Sequence, residues 1–312
     1  MIIRSLGLPI ALVDVDQALS GRWRVHAHEV DVVRVQDPPY EAWPRLREAG
    51  FHPKPQVIMW RAEVTASEDA YLATLSGKDR YDVRSAYRRA AEADLLIGTE
   101  PLTPALLDEF LELYEKQIAG MRHGWPVAVR QQADILARAG SYCAITVRSG
   151  ASLVGACLNE DLPDRDEMRA RFSAVTQGQR NGSLSRVLYW ETMRQARVRG
   201  RRWATLGRDV NLYGHLGNAG LFSFKSRLGF TAVPGQLVEP GSGSHQADRV
   251  VGFSALSDPA LLLSYAAAEG EEAAVTARLS GHLFSEGDVD LRPFRGAGPA
   301  DLTLHRVRPP TG

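Results

Sequence analysis

The chain has 312 residues, 44% of them apolar and 24% charged, so it is long enough to bury a sizeable core and falls in the ordinary globular range. Its 37 basic residues balance 37 acidic ones, which argues against a DNA-coating protein and leaves room only for local basic patches. No run approaches the roughly 20 apolar residues that a membrane span needs, and two cysteines, Cys143 and Cys157, make no disulfide framework; no membrane span, inert thiols and a reducing, cytoplasmic setting are expected.

In chain order, the N-terminal stretch MIIRSLGLPIALVDVDQAL lacks a cleavage site and soon meets Asp14 and Asp16, so it reads as a strand and not a signal peptide. WRVHAHEVDVVRV alternates and is rich in valine, as a strand should be. PPYEAWPRLREAG reads as a short helix with proline at its start and glycine at its end. QVIMWRAEV is a further strand, and residues 67–93 form a long helical stretch with a potential break at Gly77. DLLIGTE is a strand, followed by a helix opened by Thr103 and Pro104 and a second helix ended by Gly140. Residues 141–161 form a hairpin turning at Ser149-Gly150, and MRARFSAVTQ is the next strand. A glycine-containing loop leads into the helix SLSRVLYWETMRQARVRG, then RWATLGRDV (strand), GLFSFKSRLG (helix) and FTAVPGQLV (strand). After a glycine-rich turn at 240–246 come the strand DRVVGFS, a helix over PALLLSYAAAEGEEAAVTARLSGHL and a loose Gly/Pro/Asp/Arg-rich tail. The order over 94–236 is that of a mixed α/β layer, not a doubly wound sheet.

The loop TQGQRNGS before its helix has the chemistry of an anion seat. Backbone N–H groups at a helix N-terminus carry partial positive charge, and glycine lets a phosphate approach them closely. Gln179, Arg180, Asn181, Gly182 and Ser183 are the residues concerned; the alternative is an ordinary turn with Ser183 as helix cap.

The segment NAGLFSFKSRLGF, from Asn218 to Gly229-Phe230, resembles the C-terminal motif of GNAT acyltransferases, in which an asparagine, an apolar helix and Gly-Phe follow one another. The loop Gln179-x-x-Gly182 is similar to their phosphate-binding motif, with Leu184 where the family carries a small residue, a departure that counts against CoA. GLFSFKSRLGF, the preceding VLYWETMRQARVRGRRWATLG and the basic helix SGKDRYDVRSAYRRAAEADLLI look more like the Fem-like branch. The resemblance spans roughly residues 40–236. It implies a GNAT-type mixed sheet flanked by helices in two fused GNAT-like halves. Residues 1–93 would be a degenerate half, 94–255 the catalytic unit, and 256–312 a C-terminal helix and tail. It also implies acyl transfer to an amine of a small molecule or peptide. The donor is acyl-CoA or, alternatively, aminoacyl-tRNA; a non-catalytic binding module is a further alternative.

Lys225 occupies the register in which the family carries a tyrosine, and a cation there would stabilise a tetrahedral oxyanion. Leu221, Phe224 and Leu228 form an apolar stripe at helical spacing, with Lys225 beside it; the alternative is a lysine snorkelling from the helix flank. The proton acceptor that amine attack needs is sought in Asp209, after the strand RWATLG where a sheet could open to substrate, with Glu160, Tyr213 and His215 as alternatives. Substrate would enter a cleft between the two halves, near 209–218. Asn218 and Arg84 complete the expected contacts. Arg80, Arg84 and Arg88 recur at i, i+4, i+8, and RQARVRGRR adds five arginines; both clusters could hold tRNA phosphates or be solvated faces. His26-x-His28 on a strand would share a face, but no acidic or thiol partner is evident nearby, so no metal is expected.

Overall fold

The computed structural model describes residues 1–180, 184–266, 278–295, 299 and 301–307. The architecture is mixed α/β, and the chain divides into two compact units, Met1–Trp60 with Arg208–Gly312, and Arg61–Gly207. These cuts fall at 60/61 and 207/208.

The unit 61–207 opens with the helices Glu68–Thr74 and Gly77–Glu92. The break lies just before Gly77: Ser76 caps the second helix, its hydroxyl accepting from Asp79 N at 3.1 Å. Leu95–Pro101, Tyr142–Ser149, Ser152–Leu162 and Glu167–Val175 then pair antiparallel in sequence, turning at Gly150, whose φ of +58° suits a glycine. The helix Pro104–Ala119 covers this sheet. Leu107, Phe110, Ala144, Leu158 and Ala174 make its core, as the spacing of apolar residues in both elements requires.

Trp203–Val210 pairs parallel with Glu167–Val175 over only three residue pairs, Trp203↔Glu167 to Thr205↔Arg169. Gly207, φ +70°, follows the point where the pairing stops.

The unit containing both termini holds two further sheets. One orders Ile2–Ser5, Leu8–Val13, Val32–Gln36, His245–Val250 and His52–Pro55; the other orders Ala260–Tyr265, Leu279–Ser285 and Leu302–Arg306. Asn211, fully buried, donates to the carbonyls of Pro55 and Leu263 at 2.8 and 2.7 Å and accepts from Leu263 N at 2.8 Å, tying one sheet to the other.

Several expectations are corrected. Residues 22–26 form a 3-10 helix, and the strand begins only at Val32, so His26 and His28 do not lie on a strand; both are exposed, and Glu29 lies 3.2 Å from His26 Nδ1. The strand after Phe230 ends at Pro234 and a short helix follows, Gly235–Val238. Where a helix was expected from 259 to 283, the described residues form the strands Ala260–Tyr265 and Leu279–Ser285, and the expected loose tail contributes the strand Leu302–Arg306. ALLLSY is buried at every position, and a continuous apolar run suits a covered strand as well as a helix.

Asp31, 1% exposed, accepts backbone N–H bonds from Ser254, Ala255 and Leu256 at 2.7, 2.6 and 3.0 Å. Asp31→Ala removes the acceptor of one buried donor, Leu256 N, and of two part-buried ones, Ser254 N and Ala255 N, and a stability loss of about 2–3 kcal/mol is expected in urea unfolding. A loss below about 1 kcal/mol would mean that water replaces the carboxylate there.

Candidate active site

The densest polar cluster next to the GNAT-like motif forms around Asp209, near the end of the strand Trp203–Val210. Its Oδ2 accepts from Trp60 Nε1 at 2.8 Å and from the Tyr213 hydroxyl at 2.7 Å. Lys225 Nζ bridges both carboxylate oxygens, 2.8 Å from Oδ1 and 2.9 Å from Oδ2. Among the described residues Oδ1 therefore carries only the lysine, and it is the carboxylate edge with acceptor capacity left. The Lys225 side chain is 5% exposed and that of Asp209 is 15% exposed.

Each side chain is held by its element. Tyr213 exchanges backbone hydrogen bonds with Leu261 at 2.7 and 2.9 Å, which fixes the loop after the strand. Asn218 caps the helix Ala219–Arg227, its Oδ1 accepting from Leu221 N at 2.9 Å. One turn into that helix, Phe222 packs edge-on to Trp60 and Tyr213, with ring centroids 5.3 and 5.7 Å away. Lys225 follows one turn later with its ammonium 5.8 Å from the Trp60 ring centroid. Burial first, and then the Asp209 charge, hold the Tyr213 hydroxyl well above the usual range, so at neutral pH it is a donor and not a base.

The sequence placed Lys225 beside an apolar stripe of Leu221, Phe224 and Leu228. In the structure Phe222, Lys225 and Ser226 lie on the buried face, while Leu221 and Phe224 are half-buried. The snorkelling alternative is thereby set aside, because the ammonium ends on a carboxylate away from bulk water. Trp60 and Phe222 went unnamed in the sequence reading. An indole within a strand as apolar as QVIMWRAEV needs a buried acceptor, and that signal could have pointed to Trp60.

Other expected site residues are engaged elsewhere. His215 Nε2 meets Leu6 O at 3.0 Å. Glu160 is buried and paired with Arg138, with Arg171 Nε 4.0 Å away, so it is not a free proton acceptor. Arg84 is exposed. Of the RQARVRGRR arginines, Arg194 pairs with Glu68 and Glu191, Arg199 and Arg201 with Asp161, and Arg202 with Glu63, while Arg197 donates to Thr65 O. That cluster is committed to its own unit. Both cysteines are buried and free, and burial pushes the Cys157 thiol up to about 12, which makes it inert.

Of the expected anion loop, Gln177–Arg180 is a helical turn; the side chains of Gln179 and Arg180 and the whole of Asn181, Gly182 and Ser183 lie outside the described residues. Leu184 opens the helix Leu184–Val198 and is 2% exposed. A Cβ on Gly155 would come within 2.8 Å of Leu184 Cδ2, so the leucine side chain packs onto the bare backbone of the sheet strand. A cavity of about 290 Å³ borders the start of the loop, lined by Lys116, Gln117, Gly120, Val175, Thr176 and Gln177 among others.

Residues 77–220 match the acetyltransferase (GNAT) domain family. Over these residues the chain is similar to GNAT domains. The match begins with the basic helix Gly77–Glu92, includes the stretch 176–183, Asp209 and Tyr213, and ends at the start of the Lys225 helix. In fold the chain is similar to FemX, with 13% identity and a TM-score of 0.45, covering 78% of this chain and 81% of that one. It is similar to L-PGS from Bacillus licheniformis, with 15% identity and a TM-score of 0.43, covering 80% and 79%. It is also similar to a tandem GNAT protein from the clavulanic acid biosynthesis pathway, with 11% identity and a TM-score of 0.37, covering 75% and 68%. No curated protein matches the chain. Among the described residues no helix is long and apolar enough to cross a membrane.

Proposed function

We propose that the protein is an N-acyltransferase that moves an acyl group from an acyl-CoA to an amine of a small molecule or peptide by direct attack. The observation that carries the reading is the Lys225–Asp209 pair, a buried ammonium held on both carboxylate oxygens beside the GNAT domain's last strand. The catalytic GNAT-like stretch is read as 94–255. The amine nitrogen attacks the thioester carbonyl, and a C–N bond forms as the C–S bond breaks. Lys225 stabilises the oxyanion, and Asp209 Oδ1, directly or through a water, takes the proton that the amine loses. That proton then passes through solvent to the leaving thiolate. Tyr213 and Trp60 hold the carboxylate in place. The loop Gln179–Ser183, with the N-terminus of Leu184–Val198, receives the donor's phosphates.

Two observations favour acyl-CoA over aminoacyl-tRNA. The Leu184 side chain is spent on Gly155, so the large residue at this position counts less against CoA than the sequence implied. The arginines of 194–202 are paired internally, which removes one of two patches that an acceptor stem would use; the exposed Arg84 remains for the tRNA reading.

The test is thiol release from acetyl-CoA across a panel of amines and peptides, together with titration of CoA and of a mixed aminoacyl-tRNA pool. The expected result is amine-dependent thiol release, and CoA binding lost on Gly182→Trp. Binding of tRNA but not CoA, weakened by salt and by Arg84→Glu, would overturn the donor assignment. Binding of neither would favour a non-catalytic module.

A further inference from the structure

Three histidines that share no sequence motif meet in the unit that holds both chain ends. His52 opens the strand His52–Pro55, His282 lies in Leu279–Ser285, and His305 lies in Leu302–Arg306. His282 Nδ1 is 2.9 Å from His305 Nε2. The His52 ring lies over His282 with centroids 4.0 Å apart and meets His305 edge-on at 4.9 Å. One ring nitrogen from each falls within 4.8 Å of the other two. Ligand nitrogens around a tetrahedral Zn(II) lie about 3.4 Å apart, so shifts of an ångström or less in side-chain position would seat the ion.

The supporting contacts fit ligation. Ser264 Oγ sits 2.7 Å from His282 Nε2 and leaves Nδ1 as the inward nitrogen; a ligating histidine is commonly fixed through its other nitrogen in this way. Neither ring nitrogen of His52 has a hydrogen-bond partner among the described residues.

His52 and His305 also line a cavity of about 570 Å³ whose wall includes Arg24, Arg47, Arg249 and Arg306, the last paired with Asp288, and no carboxylate among the described residues. Three neutral imidazoles leave both charges of a divalent ion uncompensated, and the guanidiniums around the cavity favour a negative group at the remaining position. We propose that His52, His282 and His305 form a three-histidine Zn(II) site whose fourth position opens to this cavity and takes an oxyanion. Three protein ligands plus one exchangeable position is the arrangement of zinc sites that bind a small molecule at the metal.

The test uses the full chain, stripped of metal and titrated with Zn(II) by calorimetry and with Co(II) by visible absorption. One equivalent of Zn(II) and the intense d–d bands of tetrahedral Co(II) are expected. His305→Gln and His282→Ala should each weaken binding by more than about tenfold, Ser264→Ala should weaken it by about tenfold through the second contact, and the exposed pair His26→Ala/His28→Ala should leave it unchanged. Added inorganic phosphate should shift the Co(II) bands. A weak octahedral spectrum from the unsubstituted protein, or binding indifferent to His305→Gln, would overturn the site. A Co(II) spectrum indifferent to phosphate would overturn the oxyanion position. The Co(II) spectrum of the unsubstituted protein decides without depending on whether any variant folds.

Discussion

Replacing Asp209 by alanine should destabilise the protein by about 3–5 kcal/mol, the range for a buried ion pair that loses one partner. The loss follows from what remains: an ammonium with 5% of its side chain exposed and the Tyr213 hydroxyl, both without their carboxylate acceptor, and the Trp60 indole N–H with only its longer 3.2 Å bond to the Tyr213 hydroxyl oxygen. Lys225→Met should cost less, about 1–3 kcal/mol, because the carboxylate keeps two donors and some access to water. Lys225→Met with Asp209→Leu should recover part of the Asp209 loss, since no unpaired charge stays buried. Urea unfolding of the two single variants and the double variant measures the coupling. Simple additivity would mean that the two side chains do not act on each other. The same cycle separates stability from catalysis. A loss of stability alone cannot argue against a catalytic Lys225, because the lysine is both buried and paired. Activity per folded molecule is the discriminating quantity, and Lys225→Met should lower kcat by about 10²–10³ if the ammonium meets the oxyanion. A folded Lys225→Met protein with undiminished turnover would leave Lys225 a structural ion.

The strands and helices over 94–236 were legible because each has one dominant period and a clear cap or turn residue. Thr103-Pro104, Ser149-Gly150 and Asn218 sit where those signals put them. Lys225 and Asp209 were each legible as residue types next to a GNAT-like motif, but their pairing was not. In the helix Ala219–Arg227, two apolar faces compete: Leu221 with Phe224, and Phe222 on the other side. Only the tertiary aromatic contacts of Phe222 with Trp60 and Tyr213 decide which face turns inward, and they carry Lys225 with it. ALLLSY failed as a helix for a similar reason. The alanine- and leucine-rich run has good helix propensity, and pairing with Leu279–Ser285 overrides it. The histidine trio was invisible, since its members come from three strands far apart in sequence. The histidines that do have metal-like spacing, 26 and 28, stand exposed in and just after a short 3-10 helix.

A second buried charge cluster, on the sheet that carries His52, should respond to pH and mutation in opposite directions at its two ends. Asp248 is fully buried and accepts from Arg34 Nε and Nη2, both at 2.7 Å, with Lys54 Nζ 3.2 Å away. Lys54 is also fully buried and donates to Gln246 Oε1 at 3.1 Å. Burial lowers Lys54 to about 8, against the pull of Asp248 upward. Asp248→Ala leaves Lys54 and Arg34 facing one another in the sheet without their anion, and should cost about 3–5 kcal/mol. Lys54→Met keeps the Arg34–Asp248 fork and removes a desolvated ammonium, so it should be close to neutral or stabilising. The pH dependence follows from the direction of the Lys54 shift. Between about pH 8 and the ordinary lysine range, the unfolded chain holds the Lys54 proton and the folded chain has released it. More protons bound in the unfolded state mean that stability rises with pH there, by up to about 1.4 kcal/mol per unit from this group. Buried tyrosines whose hydroxyls titrate late, Tyr71 and Tyr265 among them, oppose that rise above about pH 10, so the window to measure is pH 8 to 10. Unfolding free energies of the unsubstituted protein and Lys54→Met across that window should diverge from each other, with only the former gaining. Parallel curves would mean that Lys54 keeps its proton throughout, which requires the Asp248 attraction to outweigh the cost of burying the ammonium.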